Sequence, residues 1–234
     1  MAASPGLRRS LFFVHGYSCS WRHWTEARER LGQQHEVTLV SLPGHGGMPL
    51  PLGRSLRFDD CVEHILAQVS ESGRPGAVLI GHSLGGMLGI AGVHRRPGLF
   101  GGLVLVDAYP KLGQPSPFDR SFWEGSPPAL KAGIVRGMME MRRGLPATLW
   151  ESVVAFDGRP LLAEVGLPVR GIYGDRGQPD HTAHRERLLE SGLAAARDVE
   201  VRFVRDAGHF VMLERPEEFW EVVMRVVAEL PGEG

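Results

Sequence analysis

The sequence predicts an α/β protein built on one doubly wound, mostly parallel sheet of about six strands. Short, wholly apolar runs at residues 11–14 and 103–106 are typical of strands that are buried on both faces. Longer segments with an apolar stripe, such as 216–230, are typical of helices that pack on a sheet. The two kinds of segment alternate along most of the 234 residues, which favours a parallel sheet with helices on both faces.

The same apolar patterns predict the remaining helices and strands. A helix is predicted at 21–31, because Trp24, Ala27 and Leu31 share one face. The last helix begins at Pro216, a residue that suits the first helical position. The other predicted strands are 37–42, 77–80, 169–173 and 199–204, and the other predicted helices are 58–69, 86–94 and 182–191.

The alternation stops between about residues 109 and 165. Several prolines interrupt this stretch, so an irregular helical insertion is expected there. The chain is therefore predicted to divide into a core, residues 1–108 and 166–234, and a cap, residues 109–165. We expect the large apolar residues of the cap to pack together and to line an apolar acyl pocket. These residues are Phe118, Phe122, Trp123, Met138, Met139, Met141 and Trp150.

Composition narrows the range of functions. The net charge of −1 gives no reason to expect binding to nucleic acid or to an anionic membrane. The two cysteines, Cys19 and Cys61, are too few for a disulfide framework and fit no zinc site, which favours a reducing cytoplasm. No apolar run reaches membrane-spanning length, and the first is too short for a signal peptide. We expect a monomer or small homo-oligomer that acts on a small molecule.

The segment around Ser83 carries the strongest chemical signal. Gly81-His82-Ser83-Leu84-Gly85 follows an apolar run and precedes a glycine-rich helical segment, which is the strand–turn–helix context of a nucleophilic serine. A serine on so tight a turn has a strained backbone, and side chains two positions away would collide. The Leu84 amide would then lie at a helix N-terminus, where it stabilises an oxyanion. A plain turn before a buried helix is the alternative interpretation.

A serine hydroxyl needs a base, and His209 is the candidate. It follows the predicted strand at 199–204, and Gly208 lets its loop present the ring. A solvent-exposed loop histidine is the alternative. A second oxyanion donor is expected from the loop after the first strand, where the Tyr17 amide follows Gly16.

Three other histidines are interpreted as structural. His15 and His45 lie in loops and are expected to bond loop backbone rather than to act as bases. His82 is expected to be a neighbour of the serine and not its base.

Taken together, these motifs resemble those of the α/β-hydrolase family. They stand in the family's order and cover the chain from about residue 10 to its end. The resemblance implies a Ser–His–acid triad of Ser83, His209 and a carboxylate, an oxyanion hole from the Tyr17 and Leu84 amides, and a helical cap at 109–165. The matching segments are His15-Gly16-Tyr17 with Trp24, Leu42-Pro43-Gly44-His45-Gly46, Gly81 to Gly86, Leu103 to Asp107, Ile172-Tyr173-Gly174-Asp175 and Ala207-Gly208-His209.

The acid of the triad departs from the family pattern. In similar proteins it lies three residues after the glycine that ends the strand, and that position is Gly177 here. Asp107, at the end of the strand after the nucleophile helix, is the first choice for a replacement. Asp175 is the alternative acid, and Asp180 is interpreted as a helix N-cap. Asp180 as the acid, a Ser–His dyad supported by water, and an inactive site also stay open.

Three functions are compatible with these residues. The first is a serine hydrolase that cleaves an ester, thioester or lactone through an acyl-enzyme on Ser83, with no metal or organic cofactor. The second is a lyase or cyclase of the same fold that uses Ser83 and His209 for proton transfer. The third is a non-catalytic binding protein. If the lyase or cyclase acts on an anionic substrate, arginines of the cap would be needed to bind it. The available arginines are Arg120, Arg136, Arg142, Arg143 and Arg159.

Overall fold

Six parallel strands form the centre of the protein. The computed structural model describes residues 8–51, 55–112, 123, 126–178 and 180–231. Neighbouring strands run parallel throughout the sheet, in the order β2-β1-β3-β4-β5-β6. The predicted parallel sheet of six strands is therefore confirmed. The strands are β1 (Ser10–Val14), β2 (Glu36–Val40), β3 (Ala77–His82), β4 (Phe100–Val106), β5 (Val169–Gly174) and β6 (Val199–Val204).

Helices fill the connections between the strands. Three of them, α4 to α6, lie between β4 and β5, in the stretch where the sequence predicts an insertion. None of the described helices has the length and apolar content needed to cross a membrane. The helices are α1 (Thr25–Leu31), α2 (Phe58–Glu71), α3 (Leu84–Arg95), α4 (Pro128–Arg142), α5 (Ala147–Ala155), α6 (Arg159–Glu164), α7 (His181–Glu190), α8 (Val211–Glu214) and α9 (Pro216–Glu229).

Both faces of the sheet are covered. Successive side chains of a strand point to opposite faces, so β1 contributes to two separate apolar clusters. Leu11 and Phe13 pack with Trp24 and with the apolar side of α9. Phe12 and Val14 pack on the other face, with α2 and α3. This arrangement explains why the strands read as continuous apolar runs.

The predicted ends of the helices and strands lie close to those in the structure. Apart from the first helix, they differ by no more than three residues. The helix predicted at 21–31 is a 3₁₀ turn, Trp21–Trp24, followed by α1. The helix predicted from residue 86 begins at Leu84 because the turn before it contains only Ser83. The four-residue α8 was not predicted, since so short a segment has no periodicity to detect.

The helices between β4 and β5 pack partly on the core. Leu149 and Val153 of α5 are buried in the same cluster as Phe58 of α2, and the ring of Phe58 stacks on that of Phe156 at 4.3 Å. Trp123 stacks on Phe210 at 5.5 Å between ring centroids. Three residues named in the sequence analysis, Phe118, Arg120 and Phe122, lie outside the described residues.

Gly85→Ala is expected to destabilise the protein by about 1–3 kcal/mol, the cost of forcing extra atoms into a packed interior. A Cβ at residue 85 would collide with the carbonyl group of Val14, which is fixed in β1. The matched control is Gly133→Ala in α4, where a Cβ meets nothing within 4 Å. Alanine favours a helix, so the control is expected to be neutral or up to about 1 kcal/mol more stable. Urea unfolding measures both, and equal losses in the two variants would contradict this packing.

Candidate active site

Ser83 occupies a one-residue turn between β3 and α3. Its backbone is strained, with φ 52° and ψ −115°, and its amide is held by a 3.0 Å hydrogen bond to the Val106 carbonyl. A Cβ at Gly81 would collide with the backbone of Gly85, and one at Gly85 would collide with Val14. The two glycines therefore permit the close approach of strand and helix that lifts the Ser83 side chain above the sheet.

His209 and Asp107 meet at the same edge of the sheet. Asp107 directly follows β4, and His209 lies in the loop between β6 and α8. The His209 Nδ1 donates to Asp107 Oδ1 at 3.0 Å, and both side chains are buried. The other ring nitrogen, Nε2, is thereby left to accept a proton. Ser83 and His209 line the same cavity.

The loop that carries His209 is held by a buried carboxylate. Glu214, in α8, accepts hydrogen bonds from the Gly208 amide at 2.6 Å and the Phe210 amide at 2.9 Å. These two amides flank His209 on either side. His82 adds a third contact, because its Nε2 donates to the His209 carbonyl at 3.0 Å. His82, which the sequence predicts as a neighbour of the serine and not its base, thus supports the loop that carries His209.

Asp107 is completely buried, yet it stays ionised. Its Oδ1 accepts from Nη2 of Arg176 at 2.8 Å, and its Oδ2 accepts from the Gly174 amide at 3.2 Å. Burial alone would raise the pKa of Asp107, but the charge of Arg176 and the hydrogen bonds from His209 and Arg176 outweigh it. The pKa of Asp107 therefore lies well below its usual value. Arg176 and Glu214 were not predicted from the sequence: Arg176 is 69 residues from the carboxylate it supports, and Glu214 bonds the amides of an irregular loop.

The other candidate carboxylates have different partners. Asp175 Oδ1 accepts from the Gly177 and Asp206 amides at 2.9 and 2.7 Å, and its Oδ2 lies 3.1 Å from His181 Nε2. Asp175 therefore orders the turn after β5. Asp180 caps α7 through the amides of residues 182 and 183, which confirms its predicted N-cap role. Gly177 has φ +68°, and a Cβ there would meet nothing within 4 Å.

The Leu84 and Tyr17 amides lie beside the serine. Leu84 is the first residue of α3, so its amide is at the positive end of the helix. Tyr17 follows Gly16, whose α-carbon is so close to the elbow that a Cβ would lie 3.2 Å from that of Ser83. Within the described parts of the chain, neither amide donates to another group. Both are therefore available to a ligand.

His15 and His45 order the loops around this edge. The pKa of His15 is lowered to about 3 by burial and by the neighbouring His45. Its neutral ring donates from Nδ1 to the Gly16 carbonyl at 2.9 Å and accepts the Leu42 amide at Nε2 at 3.2 Å. His45 Nδ1 donates to the Pro43 carbonyl at 2.9 Å. Both rings bond loop backbone, as expected.

A cavity of about 600 Å³ opens over Ser83 and His209. Its apolar wall comes largely from the insertion, through Val135, Met138 and Trp150. Cys19 also lines it, but burial raises the pKa of the thiol to about 12, so this group is not a competing nucleophile. The described residues contain no cluster of three His, Cys, Asp or Glu side chains that could hold a metal ion.

The charged side chains at the cavity are mostly basic. Among the described residues that line it, Asp107 is the acidic one, and it is paired with Arg176. Two of the five arginines considered for an anionic substrate, Arg142 and Arg159, line the cavity, whereas Arg136 and Arg143 do not. The basic side chains are Lys111, Arg142, Arg159, Arg176 and Arg187.

Comparison with known proteins places the chain among related enzymes. It is 26% identical to the pimeloyl-[acyl-carrier protein] methyl ester esterase of Nitrosospira multiformis, with 95% of each chain covered. It is 34% identical to the 2-succinyl-6-hydroxy-2,4-cyclohexadiene-1-carboxylate synthase of Salmonella paratyphi C, over 48% of this chain and 43% of that protein. The chain spans only 19% and 45% of the length of two other curated relatives that it matches over about half of its own length.

Solved structures show the same fold. Est816, described as an N-acyl homoserine lactone degrading enzyme, superimposes with a TM-score of 0.74 at 19% identity, covering 94% of this chain and 93% of that one. The sequence model of the Alpha/beta hydrolase family matches residues 11–222. Since that match takes in all six strands and the serine turn, the protein belongs to the alpha/beta hydrolase family.

Proposed function

We propose that this protein is a serine hydrolase that cleaves a carboxylic ester, thioester or lactone through an acyl-enzyme on Ser83. The observation that carries the proposal is the 3.0 Å hydrogen bond between His209 and buried Asp107, beside a serine on a strained turn. The esterase relative that matches over 95% of each chain supports the same reaction.

The proposed reaction begins with Ser83 attacking the acyl carbonyl while His209 Nε2 takes the hydroxyl proton. Asp107 fixes the tautomer in which Nε2 carries no proton, and it stabilises the imidazolium that forms. The amides of Tyr17 and Leu84 bind the oxyanion of the tetrahedral intermediate. The protonated ring then gives its proton to the leaving alcohol or thiol. Water activated by the same histidine releases the acid and restores Ser83.

The insertion supplies the substrate pocket. We propose that residues 109–165 form a cap over the core, because α4 and α5 bring Val135, Met138 and Trp150 to the cavity wall. A wall of this kind suits an apolar acyl or alcohol group of small to medium size. The expectations of a cytoplasmic location and of a monomer or small homo-oligomer stay predictions.

The basic residues of the cavity favour a substrate that also carries an anionic group. The Arg142 guanidinium lies over the Trp150 ring at 5.6 Å, and among the described residues it contacts no carboxylate. Lys111 and Arg159, in contrast, share Asp157. The basic side chains of the cavity also suit a lyase or cyclase that acts on an anionic substrate, which is the second candidate function. The synthase relative, matched over 48% of this chain, supports it as well. That reaction would form no acyl-enzyme.

Ser83→Ala is expected to abolish the pre-steady-state burst of p-nitrophenol from p-nitrophenyl butyrate, because no acyl-enzyme can form without the hydroxyl. Stopped-flow absorbance measures the burst. A fluorophosphonate probe is expected to label the wild type and not the variant. Labelling of the wild type without a burst would favour the lyase, and absence of labelling would favour a non-catalytic protein. Full esterase activity in the variant would refute the mechanism.

Asp107→Asn is expected to lower kcat by up to about 10⁴-fold, the effect of replacing the acid in a serine protease. Asp175→Asn is the matched control, because its oxygen still accepts the two turn amides, and its kcat is expected to stay within a few-fold of wild type. Steady-state kinetics on a neutral ester measures both variants. The opposite ranking would make Asp175 the acid.

Arg142→Gln is expected to reduce kcat/KM for monomethyl adipate by about two- to fivefold, the range of an exposed ion pair, and to leave dimethyl adipate unaffected. Arg136→Gln is the matched control, since Arg136 lies on the same helix and does not line the cavity. Low ionic strength makes the difference easiest to measure. Equal effects on the two esters would exclude recognition of the carboxylate by Arg142.

A further inference from the structure

Arg176 contacts the Asp107 carboxylate from the end of a neighbouring strand. It lies in the turn after β5, and its Nη2 donates to Asp107 Oδ1 at 2.8 Å. This is the same oxygen that accepts the His209 Nδ1 hydrogen bond at 3.0 Å. We propose that Arg176 is a positioning residue of the catalytic site: it supplies the counter-charge and a hydrogen bond to Oδ1 that help to fix the buried Asp107 carboxylate against His209. The proposal rests on the serine hydrolase mechanism above.

The interaction between Arg176 and Asp107 matters because little of either side chain is exposed to solvent. Asp107 is 0% exposed and the Arg176 side chain 11% exposed. A carboxylate in such surroundings is unfavourable unless an opposite charge and hydrogen bonds replace the water that it has lost. The proposed mechanism needs His209 as a base, so the permanent counter-charge has to come from another residue. Arg176 supplies it at hydrogen-bonding distance.

Hydrogen bonds hold both the backbone and the guanidinium of Arg176. The residue has φ +55°, a conformation that costs energy for any residue other than glycine. Its amide donates to the Ala207 carbonyl at 2.9 Å, and its Nη1 donates to the Gly174 carbonyl at 3.0 Å. These bonds keep the guanidinium in one orientation. They also tie it to the loop that carries His209.

The place of Arg176 in the chain connects it with the missing acid. The family resemblance implies a catalytic aspartate in this turn, at the position that is Gly177 here. In this protein the residue just before that position is a cation that reaches across to Asp107. The same turn therefore still serves the histidine, but through the charge of Arg176 on a carboxylate that β4 supplies.

Arg176 also lines the cavity, so direct contact with the substrate is the rival role that an experiment must separate. A neutral ester, p-nitrophenyl butyrate, offers the arginine no charge to bind. If Arg176 acts through Asp107, Arg176→Gln lowers kcat for this ester about 10- to 100-fold, the range for a hydrogen bond to a charged group, and leaves KM within about twofold. Arg176→Lys keeps the charge and recovers part of the loss.

A double-mutant cycle with Asp107→Asn gives the decisive comparison. Once Asp107 is neutral, Arg176→Gln has nothing left to position, so kcat of the double variant is expected to equal that of Asp107→Asn within about twofold. The double variant also removes both buried charges, so it stays informative if Arg176→Gln alone does not fold. Arg225→Gln, at an exposed arginine of α9 paired with Glu221, is the control for loss of a surface charge.

Three results would overturn the proposal: wild-type kcat in Arg176→Gln, a change confined to KM, or the same fold-loss in both backgrounds of the cycle. Failure of the underlying mechanism is distinguishable, because it appears as undiminished activity in Ser83→Ala. An inactive Ser83→Ala together with an unaffected Arg176→Gln rejects the role of Arg176 alone.

Discussion

The buried negative charge of Asp107 is the constraint on which the site depends. A carboxylate with no access to water has to be satisfied by the protein, and here its partners come from the end of β5 with the following turn and from the loop after β6. The Gly174 amide ends β5, Arg176 belongs to the following turn, and His209 belongs to the loop after β6. The charge therefore joins three neighbouring strand ends into one unit. This arrangement is possible because parallel strands bring their carboxyl ends to one edge.

The nucleophile depends on a second constraint, the close approach of backbones at the elbow. Gly85 packs against Val14 of β1, and Gly16 lies close to Ser83. The serine can be exposed at the top of the sheet only because these positions have no side chain. The same contact places the loop after β1, with the Tyr17 amide, next to the start of α3. The strained serine and the proposed oxyanion hole are thus two results of one packing arrangement.

The sequence predicts what a few consecutive residues encode, and it misses contacts across long sequence distances or within irregular loops. The strands, the Ser83 turn and the Asp180 cap are predicted because each is encoded in a few consecutive residues. Arg176 supports a residue 69 positions away, and no spacing rule connects the two. Glu214 is missed for a different reason: it caps amides of an irregular loop, and such a loop has no periodic pattern. The choice between Asp107 and Asp175 stays open in the sequence because side-chain direction at a strand end depends on the fold.

The cavity combines an apolar wall with basic side chains around it. The chain as a whole carries a net charge of −1, so the concentration of positive side chains at this opening is local. Arg176 is neutralised by Asp107, and Lys111 and Arg159 share one aspartate. The excess positive charge therefore lies with Arg142 and Arg187, which are exposed. Positive charge at an exposed opening attracts anionic molecules over a distance of about one Debye length, roughly 8–10 Å. Under the proposed function, the apolar wall then selects among them by shape, so charge and packing act at successive stages of substrate entry.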